Sequence, residues 1–375
     1  MISYGIAGFG PNGRGHLLEN TIHPRLRKHL KIVAGFDPDP ACKASLEKKG
    51  VRSVDSFDAL LDVPGLDAVL ISSPPRFHAG QAIAALEAGK HVLSEVPMAL
   101  SRVDVEKVVA AADESTKATY ALSEEYCFLS GVLYAAHLVS SGKIGPVVYC
   151  ESEYIHDVTF RFRKGPGGPE VPRVDSWYAE FDPLMYAHSI GPAMIGMGGL
   201  KTPATFTEVW SYANTIGDDP DHPICKPASS FQVALFKTAA GAICKVAGGY
   251  VYAREPPRRF FLLTGRFGSF ELHSPGGTGR LFMADGFVVS KRKQRAGSTK
   301  RVGWRERDKV AGFEIGGHWG GNVRLKLDWI AAIEAGRQPA LSARVSANIC
   351  IAGICAVEAA RTGRPVQVPS FTRGA

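Results

Sequence analysis

The chain has 375 residues, 45% of them apolar and 21% charged, and carries a formal net charge of +8. At about 150 residues per domain, this length suggests two domains, and the composition excludes disorder and collagen-like repeats. Seven sparse cysteines without a Cys-x-x-Cys pair point to reduced, buried thiols in a cytoplasmic protein rather than a disulfide framework.

The first predicted element is a buried strand, Ile2 to Ala7. A chain that opens directly on a core strand is expected to carry no signal peptide, and no apolar run reaches the roughly 18–20 residues of a membrane span. Gly8-Phe9-Gly10-Pro11-Asn12-Gly13 follows, with Leu17-Leu18 on the next predicted helix. Glycines between a strand and a helix let the backbone approach a pyrophosphate, which sits at the positive helix N-terminus. Arg14 could add a charge-assisted hydrogen bond to phosphate. A second strand, Ile32 to Phe36, ends on Asp37, 24 residues after Gly13. An acid there binds ribose hydroxyls and repels a 2′-phosphate, which favours NAD over NADP.

Strands at Leu66 to Ile71 and His91 to Leu93 alternate with helices at Ala79 to Ala88 and after the capping-box-like Ser101 and Asp104. This alternation predicts a Rossmann domain over residues 1–125, an α/β fold with a doubly wound parallel sheet. Beyond Pro146 the texture changes. Strand-like runs at Val147 to His156, Phe206 to Ala213, Phe231 to Phe236, Ala242 to Tyr252 and Phe260 to Leu263 are separated by turn residues. They predict a second α/β domain over 126–375, built on an open, mostly antiparallel sheet. Asn322 to Ala335 and Ser346 to Arg361 read as helices that pack back on the first domain. Residues 291–309 hold nine Lys or Arg against Glu306 and Asp308, so +7 of the net charge lies there. A solvated loop is the default for such a run, with a lid over an anionic ligand or a subunit contact as alternatives. No helix-turn-helix or stacking module accompanies it, so nucleic acid is not expected. No metal-ligand spacing and no Gly-x-Ser-x-Gly elbow occurs.

Ser72-Ser73-Pro74-Pro75-Arg76-Phe77-His78 and Ala88-Gly89-Lys90-His91-Val92-Leu93-Ser94-Glu95-Val96-Pro97 resemble the glucose-fructose oxidoreductase / inositol dehydrogenase (Gfo/Idh/MocA) family. The resemblance covers nearly the whole chain and implies NAD-dependent chemistry on sugar or cyclitol hydroxyls. It places Ser73, Pro74 and His78 along the cofactor cleft, and Glu95 with Pro97 near the nicotinamide ribose. Two departures stand out. The family's Glu-Lys-Pro lysine is Val96 here, and its second motif keeps His188 but has Leu184, Tyr186 and Gly191 in place of Asp, Gly and Asp. With lysine absent, the base for a carbinol proton falls to His188 and a tyrosine.

Glu95-Val96-Pro97, Glu151 to Asp157 and Tyr186 to Pro192 are similar to one branch of that family, the NAD-dependent glycosidases of α-N-acetylgalactosaminidase type. Glu124 stands where that branch has a Glu after its fifth strand, although its tyrosine lies three residues before the histidine and Tyr186 only two. The branch implies oxidation at sugar C3, loss of the acidified C2 proton, elimination of the glycosidic oxygen, water addition and re-reduction. His188, Tyr154, His156 and Tyr186 are the candidate proton-handling groups. Tyr154 and His156 share one strand face by alternation. Glu124 either orients a catalytic group or forms a structural ion pair, and His318 resembles a histidine before the family's C-terminal helix. Arg161, Arg163, Lys164 and Arg173, with Trp177, occupy a Gly/Pro-rich insertion that either is a solvated loop or covers an anionic sugar. A glycosidase, a plain NAD-dependent sugar or cyclitol dehydrogenase and a non-catalytic NAD- or sugar-binding regulator all remain open. A homo-oligomer without membrane attachment is expected.

Overall fold

The computed structural model describes residues 1–156, 182–214, 231–250, 258–284 and 297–372, with the backbone of 289–290 and 293–294. Six strands open the chain: β1 (Ile2–Ala7), β2 (Leu30–Phe36), β3 (Ser53–Val54), β4 (Ala68–Ile71), β5 (His91–Glu95) and β6 (Tyr120–Ser123). They pair in parallel in the order β3-β2-β1-β4-β5-β6. Parallel strands need crossovers that cover both faces, and β4 is accordingly buried at every position. The crossovers carry α1 (Pro11–Ile22), α2 (Pro40–Lys48), α3 (Phe57–Leu61), α4 (His78–Glu87) and α5 (Arg102–Glu114). The Ser101 side chain accepts from the Asp104 N–H and starts α5, as capping by serine requires. Strand order reverses between β1 and β4, so a crevice opens at their carboxyl ends.

After α6 (Ser130–Ser140) comes a nine-stranded sheet built from β7 (Val147–Ile155), β8 (Phe206–Asn214), β9 (Phe231–Thr238), β10 (Ile243–Gly249), β11 (Phe261–Gly265), β12 (Gly268–Leu272), β13 (Gly279–Ala284), β16 (Gly297–Val302) and β17 (Val366–Gln367). A separate hairpin joins β14 (Val289–Ser290) to β15 (Lys293–Gln294). Every pairing in the large sheet is antiparallel except β7 with β10. The mostly antiparallel sheet is therefore mixed, with β7 near its centre. In the last part of β9, buried positions alternate with open ones, the pattern of a sheet with one covered face. Helix α7 (Ile190–Gly198) lies on that sheet, and α8 (Trp304–Ala311) packs on α6.

Helices α9 (Gly321–Glu334) and α10 (Ala343–Thr362) reach the parallel sheet, where both touch β6 and α10 also packs on α5. By length and composition α10 could cross a bilayer, contrary to the reading that no such run exists. Its apolar window, however, is 67% buried inside the fold, which is the environment of a core helix. The six described cysteines are free and buried.

The basic run at 291–309 is more than a solvated loop. Its later part forms β16 and α8, Lys300 pairs with Glu306 at 2.6 Å, and Arg307 is fully buried. Arg307 donates to the carbonyls of Gly277, Pro275 and Val302. The side chains of 285–296 lie outside the described residues.

One buried ion pair ties α9 to α1. Lys326 Nζ donates to Glu19 Oε2 and to Asn20 Oδ1, both at 2.8 Å, and the Gly317 N–H donates to the other Glu19 oxygen at 2.9 Å. Burial raises the Glu19 pKa, but Lys326 and this N–H outweigh it and hold the carboxyl below its usual range. Removing one partner of such a pair leaves an uncompensated buried charge. Lys326→Ala is expected to lower unfolding stability by about 3 kcal/mol in urea titration. A loss below about 1 kcal/mol would show the pair to be dispensable.

Candidate active site

A cleft of about 520 Å³ lies at the carboxyl ends of the parallel strands, lined by Gly8, Gly10, Asn12, Asp37, Ser73, Pro74, His78, Glu95, Val96 and Tyr186 among others. The glycine loop is shaped by contact. Gly8 has φ +87, and a Cβ there would lie 2.5 Å from the Ser72 carbonyl; a Cβ on Gly13 would lie 2.2 Å from the Gly8 oxygen. Gly10, by contrast, faces open space. It is the N-cap of α1, and no side chain caps that helix, so the first N–H groups face the loop without a side-chain acceptor. This arrangement fits a pyrophosphate.

Asp37 holds the loop from β2. Its Oδ2 accepts from the Phe9 N–H at 2.6 Å and its Oδ1 from the Asp39 N–H at 2.9 Å. A carboxylate has about four acceptor sites, so ribose hydroxyls can still be taken. Arg14 braces the loop, with Nε donating to the Phe9 carbonyl at 3.2 Å, and it does not line the cleft. Gly13 and Pro97 also stand behind the lining. Buried His78 bridges the Pro97 carbonyl, 2.8 Å from Nδ1, and the Ser73 carbonyl, 2.7 Å from Nε2. Ser73 Oγ donates to Gln81 at 2.6 Å.

Tyr186 connects this cleft to a cluster of rings. Its centroid is 4.5 Å from that of His188, and Tyr154 is 4.7 Å from His188. His156 lies one step further along β7, 5.8 Å from Tyr154, as alternation on a strand requires. His188 sits just before α7, after Ala187 in the left-handed region at φ 71. Its Nδ1 is 2.9 Å from both oxygens of Glu124, which is fully buried at the end of β6. The Tyr126 N–H donates to Glu124 Oε1 at 3.2 Å. Gly191 makes the approach possible, since a Cβ there would meet Cys127 Sγ at 2.8 Å and Glu124 Cγ at 3.0 Å.

Three imidazole–carboxyl pairs line the seam between the sheets: His16 with Glu95 at 2.5 Å, His188 with Glu124 at 2.9 Å, and His318 with Glu125 at 3.2 Å. They differ in charge. Burial raises the Glu95 pKa, but the His16 hydrogen bond and the neighbouring imidazoles outweigh it and keep the carboxyl below its usual range. Burial pushes Glu124 well above its usual range and moves Glu125 upward. It also pushes His188 down to about 4. Glu124 and His188 therefore form a neutral hydrogen-bonded pair, despite having the geometry of a salt bridge.

Of the residues selected from sequence, the structure groups His188, Tyr154, Tyr186 and His156. Glu124 lies behind His188 and is enclosed on every side. His318 stands across Tyr126, with ring centroids 5.3 Å apart. Arg161, Arg163, Lys164, Arg173 and Trp177 lie outside the described residues. Several neighbours escaped the sequence reading. Tyr126 lies 4.5 Å from the His188 ring; Arg259 stands over Tyr126, Tyr154 and Trp319; and His16 holds Glu95. His16 alone had a legible signal, since it follows the glycine loop on the second turn of α1.

Residues 2–122 match the family described as "Oxidoreductase family, NAD-binding Rossmann fold" (GFO_IDH_MocA). A "Glycosyl hydrolase family 109 protein" of Solibacter usitatus is 24% identical over 409 aligned positions, covering 100% of this chain and 89% of that protein. The 2,7-anhydro-N-acetylneuraminate hydratase of Escherichia coli is 30% identical over 153 residues, 41% of this chain and 40% of its own. The chain thus spans about two fifths of the length of the first curated relatives that it matches. A structure of levoglucosan dehydrogenase with NADH and levoglucosan shares the fold at a TM-score of 0.76 and 21% identity, over 98% of this chain and 100% of that one.

Two measurements probe this geometry. Gly13→Ala should weaken NADH binding at least tenfold in a fluorescence titration, because its methyl group collides with the Gly8 carbonyl; unchanged affinity would dissociate the loop from the cofactor. The raised pKa of Glu124 destabilises the fold above the unfolded carboxyl value, near 4.5, where only the unfolded chain ionises. Glu124→Gln keeps the shape without that titration. Its melting temperature should rise relative to wild type between pH 5 and pH 8, and a pH-independent difference would contradict burial as the cause.

Proposed function

From a chain whose residues 2–122 form the NAD-binding Rossmann fold of the Gfo/Idh/MocA oxidoreductases, we propose a sugar-active enzyme. It cleaves a glycoside by transient oxidation at C3, elimination, water addition and re-reduction. One observation carries this reading: Tyr186 lines the dinucleotide cleft and also touches the buried His188–Glu124 pair. A group that handles protons therefore stands at the edge of a cleft shaped for a hydride carrier. NAD, held by Gly8, Gly10, Asp37 and Glu95, supplies reversible hydride acceptance when bound.

The remaining work belongs to the chain's own residues. Glu124 occupies His188 Nδ1 and fixes the ring, leaving Nε2 for the substrate. In the tautomer whose Nδ1–H donates to Glu124, Nε2 is free to take the proton of the sugar hydroxyl. Once C3 is a ketone, the C2 proton is acidic, and removing it expels the glycosidic oxygen from C1. The reaction needs an acceptor at O3, a base at C2 and an acid at the leaving oxygen. His188, Tyr154, Tyr186 and His156 form a cluster with enough groups for all three. Val96 is buried at the position where the family resemblance implies a lysine, which leaves proton transfer to these rings. Similarity to a glycosyl hydrolase and to a hydratase supports addition and elimination over simple oxidation.

The test is incubation with neutral and acidic glycosides in deuterated water, without added cofactor. Aglycone release with deuterium at C2 and no accumulating NADH is expected. Stoichiometric NADH beside an intact glycoside would replace this reading with a plain sugar dehydrogenase, and silence across the panel would favour a binding module. His188→Ala should reduce turnover by roughly 10²- to 10⁴-fold while NADH still binds. Undiminished turnover would remove His188 from the mechanism.

A further inference from the structure

We propose that the substrate is a carboxylate-bearing sugar and that Arg259 binds the carboxylate; the proposal rests on the sugar-active reading above. Arg259 follows Arg258, whose backbone bridges Ile155 at the end of β7. The two arginines differ in their partners. Arg258 is bound to the Glu153 carboxylate. Arg259 has no carboxylate or carbonyl partner among the described residues, and its buried Nε makes no hydrogen bond. Its guanidinium lies 5.7 Å from the Tyr154 ring, 6.0 Å from Tyr126 and 5.4 Å from Trp319.

Aromatic faces offset part of the desolvation of a guanidinium, about 0.5–2 kcal/mol for each good contact, but they supply no acceptor for its N–H groups. The nearby buried carboxyls are already engaged, Glu124 with His188 and Glu125 with His318. Among the described residues, an oriented cation without an acceptor is left beside the rings that touch His188. The buried Tyr126 hydroxyl also has no partner and offers a second donor. A planar carboxylate matches the guanidinium fork bidentately.

The wall behind Arg259 is held in a strained conformation. His318 and Trp319 occupy the left-handed region at φ 49 and 53, which costs non-glycine residues roughly 1–3 kcal/mol each. Gly276 makes room for the indole, since a Cβ there would lie 2.6 Å from Trp319 Nε1. Occupancy also bears on the base. The Arg259 charge lowers the basicity of His188, so a substrate carboxylate that neutralises it strengthens the base when the sugar is bound.

The test is calorimetric titration of NAD+-loaded protein with glucose against glucuronate, galactose against galacturonate, and N-acetylneuraminate. At least one uronate should bind tenfold or more tightly than its neutral partner, or N-acetylneuraminate should bind where neutral sugars do not. Arg259→Met should reduce that preference at least tenfold, and Arg259→Lys should retain part of it, with NADH fluorescence reporting that each variant is folded. Acids binding no better than neutral sugars in wild type, no binding by any acid, or a preference that survives in Arg259→Met would each overturn the proposal. The readout is binding without turnover. A dehydrogenase outcome in the glycoside assay would therefore overturn the reaction assigned above and leave this proposal to be decided by the affinity ratio.

Discussion

The hydrogen bond between His188 Nδ1 and the buried Glu124 carboxyl is the constraint around which the seam of the molecule is packed. It joins the end of β6, in the parallel sheet, to the turn before α7, which lies on the mixed sheet. Burying both groups is costly without a partner, so the two halves must meet closely enough for each to satisfy the other. Gly191 permits that approach, Ala187 takes a left-handed conformation to deliver the imidazole, and Gly353 lets α10 come within reach of the Leu184 carbonyl behind it, where a Cβ would lie 2.7 Å away. Gly191 therefore has a specific packing role at this junction. Its missing side chain is the space that Glu124 and Cys127 fill.

Much of the first half was legible because its physics is local. Strands buried on both faces must be apolar throughout, and the glycine loop needs glycine where Gly8 and Gly13 crowd backbone. Asp37 ends its strand at the distance that places a carboxylate beside that loop. Tyr154 and His156 could be assigned to one face because strand side chains alternate. The limits were equally physical. Arg258 and Arg259 are identical in sequence, and only the register with Ile155 separates the one bound to Glu153 from the one among aromatic rings. Tyr126 and Glu125 are conspicuous only once the short helical turn after Glu124 brings them against His188 and His318. The basic run misled as a sum of charges, since Arg307 is an interior group serving carbonyls and Lys300 is neutralised by Glu306. Alanine, glycine and cysteine along α10 disguised a helix apolar enough to span a membrane, whose actual partners are α5, β6 and β8.

Among the described residues, the charges that remain at the seam are few, and their separation follows from burial. Glu95 is held below the usual carboxylate range by His16 and lines the cleft proposed above for NAD, whose oxidised ring is positive. Arg259 remains a cation at the other side, because guanidinium does not give up its proton in proteins. Between them, burial has driven Glu124, Glu125 and His188 toward neutral forms. A base surrounded by neutral groups responds strongly to any charge brought near it, since the low local dielectric screens little. A positive ring arriving beside Glu95 and an anion arriving beside Arg259 would each cancel a fixed charge. The field at His188 would then be set by what is bound rather than by the empty protein.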